Sequence, residues 1–275
     1  MIKYIKKMNG GNKTMKNYTI PLTTLEKNTI RACVKKADPQ CKELSEIFSA
    51  GKATFQYIVR NYPKIFKRDR WNNYIAFVFS EIARYSLTES KTLNVENYLK
   101  FYAKIKLRNR QVLNDLGATG DLVEVLTRCA IIKNYNLAKH SLYVKQSGKV
   151  DIISKKLGRV EVGHNGKTFT QGSALDPVDG PFDSVIYGMY SPEDERQLYN
   201  FMLGGQYFKA VEMVKQYMVY WDNKYDFLTF IEGMTEGHGI LFKDCGPQVV
   251  YNTGKYKKFI ACIESGELTT LADIL

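Results

Sequence analysis

Two acidic residues stand ten positions apart in the stretch GKVDIISKKLGRVEVGHNGKTFT, residues 148–170, each inside a β-branched run and beside a glycine turn. In KVDIIS, Asp151 lies between Val150 and Ile152. In RVEVG, strand alternation sends Val160 and Val162 one way and Arg159, Glu161 and Gly163 the other. If the two segments pair across SKKLG, Asp151 and Glu161 meet on one face, about 5 Å apart for directly opposed neighbours. Like charges so placed repel. A hard divalent cation, Mg²⁺ or Mn²⁺, held through such carboxylates removes that penalty. It can also activate water and neutralise charge on a phosphodiester in transition. The competing reading is a polar hairpin whose two carboxylates face water.

The elements that must position these acids change character along the chain. Residues 21–116 read as helical: apolar residues recur at helical spacing through TTLEKNTIRACVKKA, CKELSEIFSAGKATFQYIVRNY and RWNNYIAFVFSEIARYSL, and Gly51 is expected to break the second run. NVENYLKFYAKIKLRNRQVLNDLG completes four or five helices. TGDLVEVLTRCAIIKNY then reads as a helix capped at Thr119 or Asp121. SLYVKQ, KVDIIS, RVEVG and KTFTQ read as strands, with Asn165-Gly166 as a two-residue hairpin signal. SVIYGMY is a further strand, and SPEDERQLYNFML a helix capped by Ser191. QYFKAVEMVKQYMVYWDN and YDFLTFIEGM are expected to be helical, GILFKD and QVVYNTG to be short strands. The expected class is α+β: a basic flexible arm over 1–20, a helical region over 21–116 and an α+β core with a C-terminal extension over 117–275.

At this point the residues resemble a known family. Helix, strand with Asp, strand with Glu-x-Lys, then helix and strand is the core of the PD-(D/E)xK nucleases, the restriction-endonuclease-like fold. The matching pieces are Glu124 in GDLVEVLTR, Asp151 in KVDII, Glu161 in VEVG, and FDSVIYGMY with SPEDERQLYNFM, over about a third of the chain (117–205). The resemblance implies a mixed central sheet flanked by helices and a Mg²⁺- or Mn²⁺-dependent endonuclease acting on double-stranded DNA, commonly as a homodimer. It implies Asp151 and Glu161 as metal ligands, the Val162 main-chain carbonyl as a third, and Glu124 as an auxiliary. Without the resemblance, Glu124 reads as half of a surface pair with Arg128.

One departure stands out: Gly163 occupies the position of the family's lysine. That lysine would polarise the attacking water or stabilise phosphate charge, and glycine does neither. Three explanations stay open. Another cation supplies the charge, with Lys167 sharing the parity of Glu161, Lys149, Lys155 and Lys156 flanking Asp151, and His164 at the turn. Or the chain binds DNA without cutting it, or Gly163 is a substitution that silences an enzyme.

The chain has 275 residues and a formal net charge of +12, a balance that favours a polyanionic partner. KIKLRNR carries Lys104, Lys106, Arg108 and Arg110; RNYPKIFKRDRW interleaves Lys67, Arg68 and Arg70 with aromatic residues. Cations with aromatics suit phosphate contact and base stacking, and solvated helix faces explain them equally well. Five cysteines without metal-ligand spacing suit a reducing compartment, the cytoplasm by default. No window is apolar enough to span a membrane, and neither a phosphate-cradling glycine loop nor a serine-hydrolase elbow occurs. The alternative function is a non-catalytic nucleic-acid-binding or assembly protein of the kind viruses carry.

Overall fold

The computed structural model describes residues 22–107, 119–134, 142–143, 151–154, 156–165, 183–235, 241–243, 246–248 and 253–275. Four helices open it. α1 (Thr24–Ala37) starts on a capping box in which Thr23 and Glu26 bond each other's backbone N–H, and ends at Asp38 in the left-handed region, φ 43°. α2 (Leu44–Asn61) runs unbroken through Gly51, contrary to the break expected there. The reason is packing. A Cβ on Gly51 would lie 1.9 Å from Cδ1 of Phe79, so the glycine admits that ring rather than ending the helix. α3 (Trp71–Thr88) and α4 (Val95–Tyr102) follow, α4 capped by Asn94 and continued by a π-turn (Ala103–Leu107). Ile30, Ile47, Ile58, Val78 and Ile82 are fully buried between these helices; each contributes about 1.5–3 kcal/mol of burial.

α5 (Thr119–Asn134) starts at Thr119, where a cap at Thr119 or Asp121 was expected. Its Leu122, Leu126, Cys129 and Ala130 join the same apolar cluster as the N-terminal helices. That cluster also takes in Ile152, Val160, Val162 and Ile186 of the sheet, so the boundary near residue 117 is not a break in the core.

The sheet holds β1 (Leu142–Tyr143), β2 (Ile152–Ser154), β3 (Gly158–His164), β4 (Ser184–Gly188) and β5 (Met218–Trp221), in that spatial order. All neighbours are antiparallel except β3 and β4, which run parallel. The class is therefore α+β with a mixed sheet. α6 (Pro192–Leu203) has Ser191 as its cap, with Asp194 closing the box. α7 (Tyr207–Tyr217) stops where MVYW begins: these residues were expected to extend the helix, but they form β5 against β4. Pairing overrides local pattern here, and β-branched and aromatic residues tolerate it well.

α8 (Lys224–Thr235), a β6–β7 hairpin (Leu241–Lys243, Gly246–Gln248), α9 (Thr253–Glu264) and α10 (Leu271–Ile274) complete the described chain. Val185, Tyr187, Val219 and Trp221 form a second cluster with Phe227 and Ile231 of α8 and Phe259 of α9. Helices thus cover both faces of the sheet, α5 on one and α8 and α9 on the other. The KTFTQ strand expected after Asn165 lies outside the described residues, as do residues 1–21; the described partners of β3 are β2 and β4.

Candidate functional site

The β2–β3 register pairs Ile152 with Val160, so Asp151, one residue before β2, stands opposite Glu161. Asp151 Oδ2 accepts a hydrogen bond from the Val162 backbone N–H at 2.9 Å. A strand N–H points sideways in the sheet, so the carboxylate takes a place that a neighbouring main-chain carbonyl ordinarily fills. The turn between the strands is built by Ser154, whose Oγ accepts from the N–H groups of Lys156 and Leu157 at 3.2 Å, and by Gly158 at φ 75°. Arg159 and Asp183 form an exposed bidentate pair at the start of β3, and Ser184 Oγ donates to the Leu157 carbonyl at 2.7 Å. These contacts fix where β3 begins, and with it which residues face which way.

Val160 and Val162 point into the cluster under α5. By alternation Glu161 and Gly163 face the other side, where their ladder partners Val185 and Tyr187 belong to the cluster under α8 and α9. Glu161 is 5% exposed and Gly163 is buried. Glu124 sits on the helix covering the opposite face, paired with Arg128 one turn on. The register sets Asp151 across from Glu161 along the strand pair and puts the Asp151 carboxylate on the Val162 N–H, while Glu124 lies on the other side of the sheet from Glu161.

Glu124 and Arg128 instead line a cavity of about 180 Å³ between α3, α4 and α5, together with Glu81, Arg84 and Tyr98. Glu81 is almost wholly buried, 3.0 Å from Arg84 Nη2 and 3.6 Å from Arg31 Nε. Burial pushes the Arg128 pKa down, opposed by Tyr98 and by Asp151, whose carboxylate lies within electrostatic reach. Burial pushes the Tyr98 phenol up to about 12. Arg128 Nε is buried and has no hydrogen-bond partner among the described residues, which leaves the guanidinium short of acceptors.

The remaining sequence candidates are dispersed. His164 Nε2 is 3.8 Å from Glu195 on α6, at the far end of β3. Beside it Asn165, at φ 42°, joins Tyr190 and Glu195 through its side chain. Lys156 is exposed in the β2–β3 turn, and Lys104 is exposed on the π-turn. Lys67 and Arg68 are exposed; Arg68 lies over the Trp71 ring. Arg70 is committed inward, 2.7 Å from Glu26 and over the Tyr74 ring. Arg108, Arg110, Lys149, Lys155 and Lys167 lie outside the described residues, as does the side chain of Lys106. Cys33, Cys41 and Cys129 are buried free thiols. No group of three His, Cys, Asp or Glu is placed to hold a metal ion among the described residues, and no helix among them is long and apolar enough to cross a membrane.

Sequence reasoning missed Glu81, Arg84 and Tyr98. The i,i+3 pair in SEIAR was the available signal, but nothing local says that it faces α5. Compared with family models, curated proteins and solved structures, the chain matches none.

Proposed function

We propose that the chain acts on phosphodiesters of double-stranded DNA with a divalent cation, in the manner of the restriction-endonuclease-like nucleases it resembles. The observation that carries the reading is the β2–β3 register, which sets Asp151 opposite a buried Glu161 in a chain of net charge +12. Two carboxylates and a main-chain carbonyl are a hard-oxygen donor set of the kind Mg²⁺ and Mn²⁺ take. Asp151 has a second oxygen, Oδ1, so it can serve a cation without giving up the Val162 N–H. Asp151, Glu161 and the Val162 carbonyl would hold the ion. When bound, it supplies Lewis-acid polarisation of the phosphate and activation of water. The residues themselves fix position: Asp151 ties the end of β2 to β3, and the two sheet-covering layers exclude water around Glu161. Exposed Lys67, Arg68 and Lys104 supply non-specific phosphate contact, worth affinity that falls steeply with salt.

Nicking of supercoiled plasmid in Mg²⁺ or Mn²⁺ tests this. Asp151→Asn and Glu161→Gln are expected to lower the rate at least about a hundredfold, while the amide oxygen of the first variant can still accept the Val162 N–H. Equal nicking by wild type and both variants, or none by wild type, rejects the reading. Gly163→Lys is a poor rescue, because the position is buried and paired with Tyr187 in the ladder, and an ammonium group there is costly. That same packing favours a second reading, a DNA-binding protein without cleavage; it predicts salt-sensitive DNA retention unchanged by EDTA and by Asp151→Asn.

A further inference from the structure

We propose that the closed end of the α2–α3 hairpin binds single-stranded DNA, with a base stacked on Trp71 and the flanking cations on the phosphates. The charge of the chain is lopsided. Residues 1–107 carry 21 lysines and arginines against 8 aspartates and glutamates, whereas residues 108–275 carry 19 against 20. The surplus that favours a polyanion therefore lies in the N-terminal part, not around Asp151 and Glu161. Between residues 47 and 80 the only acid is Asp69.

The hairpin gathers cations around aromatic rings. α2 and α3 pack antiparallel, with Phe55 beside Trp71 and Gly51 beside Phe79. Phe55 and Trp71 meet edge to face, their ring centroids 5.6 Å apart. The last turn of α2 and the connection to α3 bring exposed Arg60, Lys64, Lys67 and Arg68 to this end. None of the four forms a salt bridge among the described residues, whereas Arg31, Arg70, Arg84 and Arg128 each face a glutamate. Trp71 itself is 37% exposed. An indole left in water beside four cations without acids is the composition of a stacking platform: the cations follow the phosphates and the ring takes the face of a base. Arg68 lies over the Trp71 ring, its Cζ 5.8 Å from the centroid. At an exposed site such a contact is weaker than a stacked base. A base therefore displaces the guanidinium, which then reaches the adjoining phosphate.

The ring selects the unpaired strand. A patch that worked by charge alone would favour the duplex, whose phosphates are denser along the axis. Bases inside a duplex are already stacked on one another and present no face to Trp71. Trp71 opens α3, whereas the part of α3 that meets α5 lies near Arg84, about 20 Å further along the helix. Because α5 is the helix that covers the sheet, the platform and the carboxylate pair are separate places on the chain. That the strand is DNA rests on the nuclease reading; that it is unpaired rests on the ring.

The test uses the two tryptophans of the full chain. Trp221 is only 8% exposed, so quenching by a stacked base reports on Trp71. Oligothymidylate of about sixteen nucleotides, titrated in EDTA, is expected to quench the emission saturably. By anisotropy the same strand, labelled, should bind at least about tenfold more tightly than a blunt duplex of equal length. Trp71→Ala should weaken strand binding about tenfold. Trp71→Phe keeps an aromatic face and serves if the alanine variant fails to fold; it should bind within about threefold of wild type while the quench disappears. Lys67→Ala combined with Arg68→Ala should reduce the steepness of log affinity against log salt by about 1.4. No quench, a quench that persists in Trp71→Phe, a duplex bound as tightly as the strand, a folded Trp71→Ala that binds as wild type, or an unchanged salt slope overturns the proposal. Tighter binding of oligouridylate than of oligothymidylate overturns the assignment to DNA. Strand binding in EDTA without Mg²⁺-dependent nicking would sink the nuclease reading alone, and nicking without the quench would sink this one alone.

Discussion

Acids in the helical region and at the start of the strand pair are held by different partners. Glu26 is met by the Arg70 guanidinium at 2.7 Å, the Tyr74 hydroxyl at 2.6 Å and the Thr23 backbone. Glu81 lies between Arg31 and Arg84. Asp151, by contrast, is held by a backbone N–H, a partner that an amide satisfies as well as a carboxylate. Charge is thus met by charge in the helices, whereas the printed partner of Asp151 is a backbone N–H.

The contrast sharpens into stability measurements. Glu26→Ala removes the ion pair with Arg70 and the acceptor of the Tyr74 hydroxyl in a buried setting, and denaturant unfolding should show a loss of about 3–5 kcal/mol; a loss below about 1 kcal/mol would erase the distinction. Gly51→Ala drives a methyl group into Phe79 and should cost about 1–3 kcal/mol. Asp151→Asn should stay within about 1 kcal/mol of wild type in the same assay. Arg159→Ala breaks only the exposed pair with Asp183, and about 0–1 kcal/mol is expected.

Acid provides an independent check on the helical side. Burial alone would raise the Glu26 pKa, but the Tyr74 and Thr23 hydrogen bonds and the Arg70 charge outweigh it and hold the carboxyl below its ordinary 4.5. The folded chain thus binds this proton less readily than the unfolded chain. Its stabilisation is complete above about pH 4.5 and is lost as the pH falls through the lowered folded value. Glu26→Gln should accordingly flatten the fall of stability below pH 4.5, measured as the midpoint of urea unfolding; an unchanged slope would show that Glu26 does not carry it.

What could be read in the sequence followed from local periodicity. The alternation around Glu161 and the Ser191 cap on α6 needed no distant partner to be seen. β5 was hidden because MVYW follows a helical run with no glycine or proline between, and only the pairing with β4 makes it a strand. Gly51 misled for the same reason: its role depends on Phe79, a residue of the next helix. The lysine-for-glycine question at position 163 was visible, but its packing beside Tyr187 was not. Around the candidate site, the antiparallel pairing of the two strands across SKKLG was legible from spacing. The Glu81–Arg84–Glu124–Arg128 lining was not, because it joins helices whose sequences carry no mark of their contact.

The apolar cluster that runs from Ile30 on α1 through α5 to Val160 and Ile186 has a consequence for unfolding. Helical and sheet portions that share one interior are expected to unfold together, so denaturation should show one transition for both.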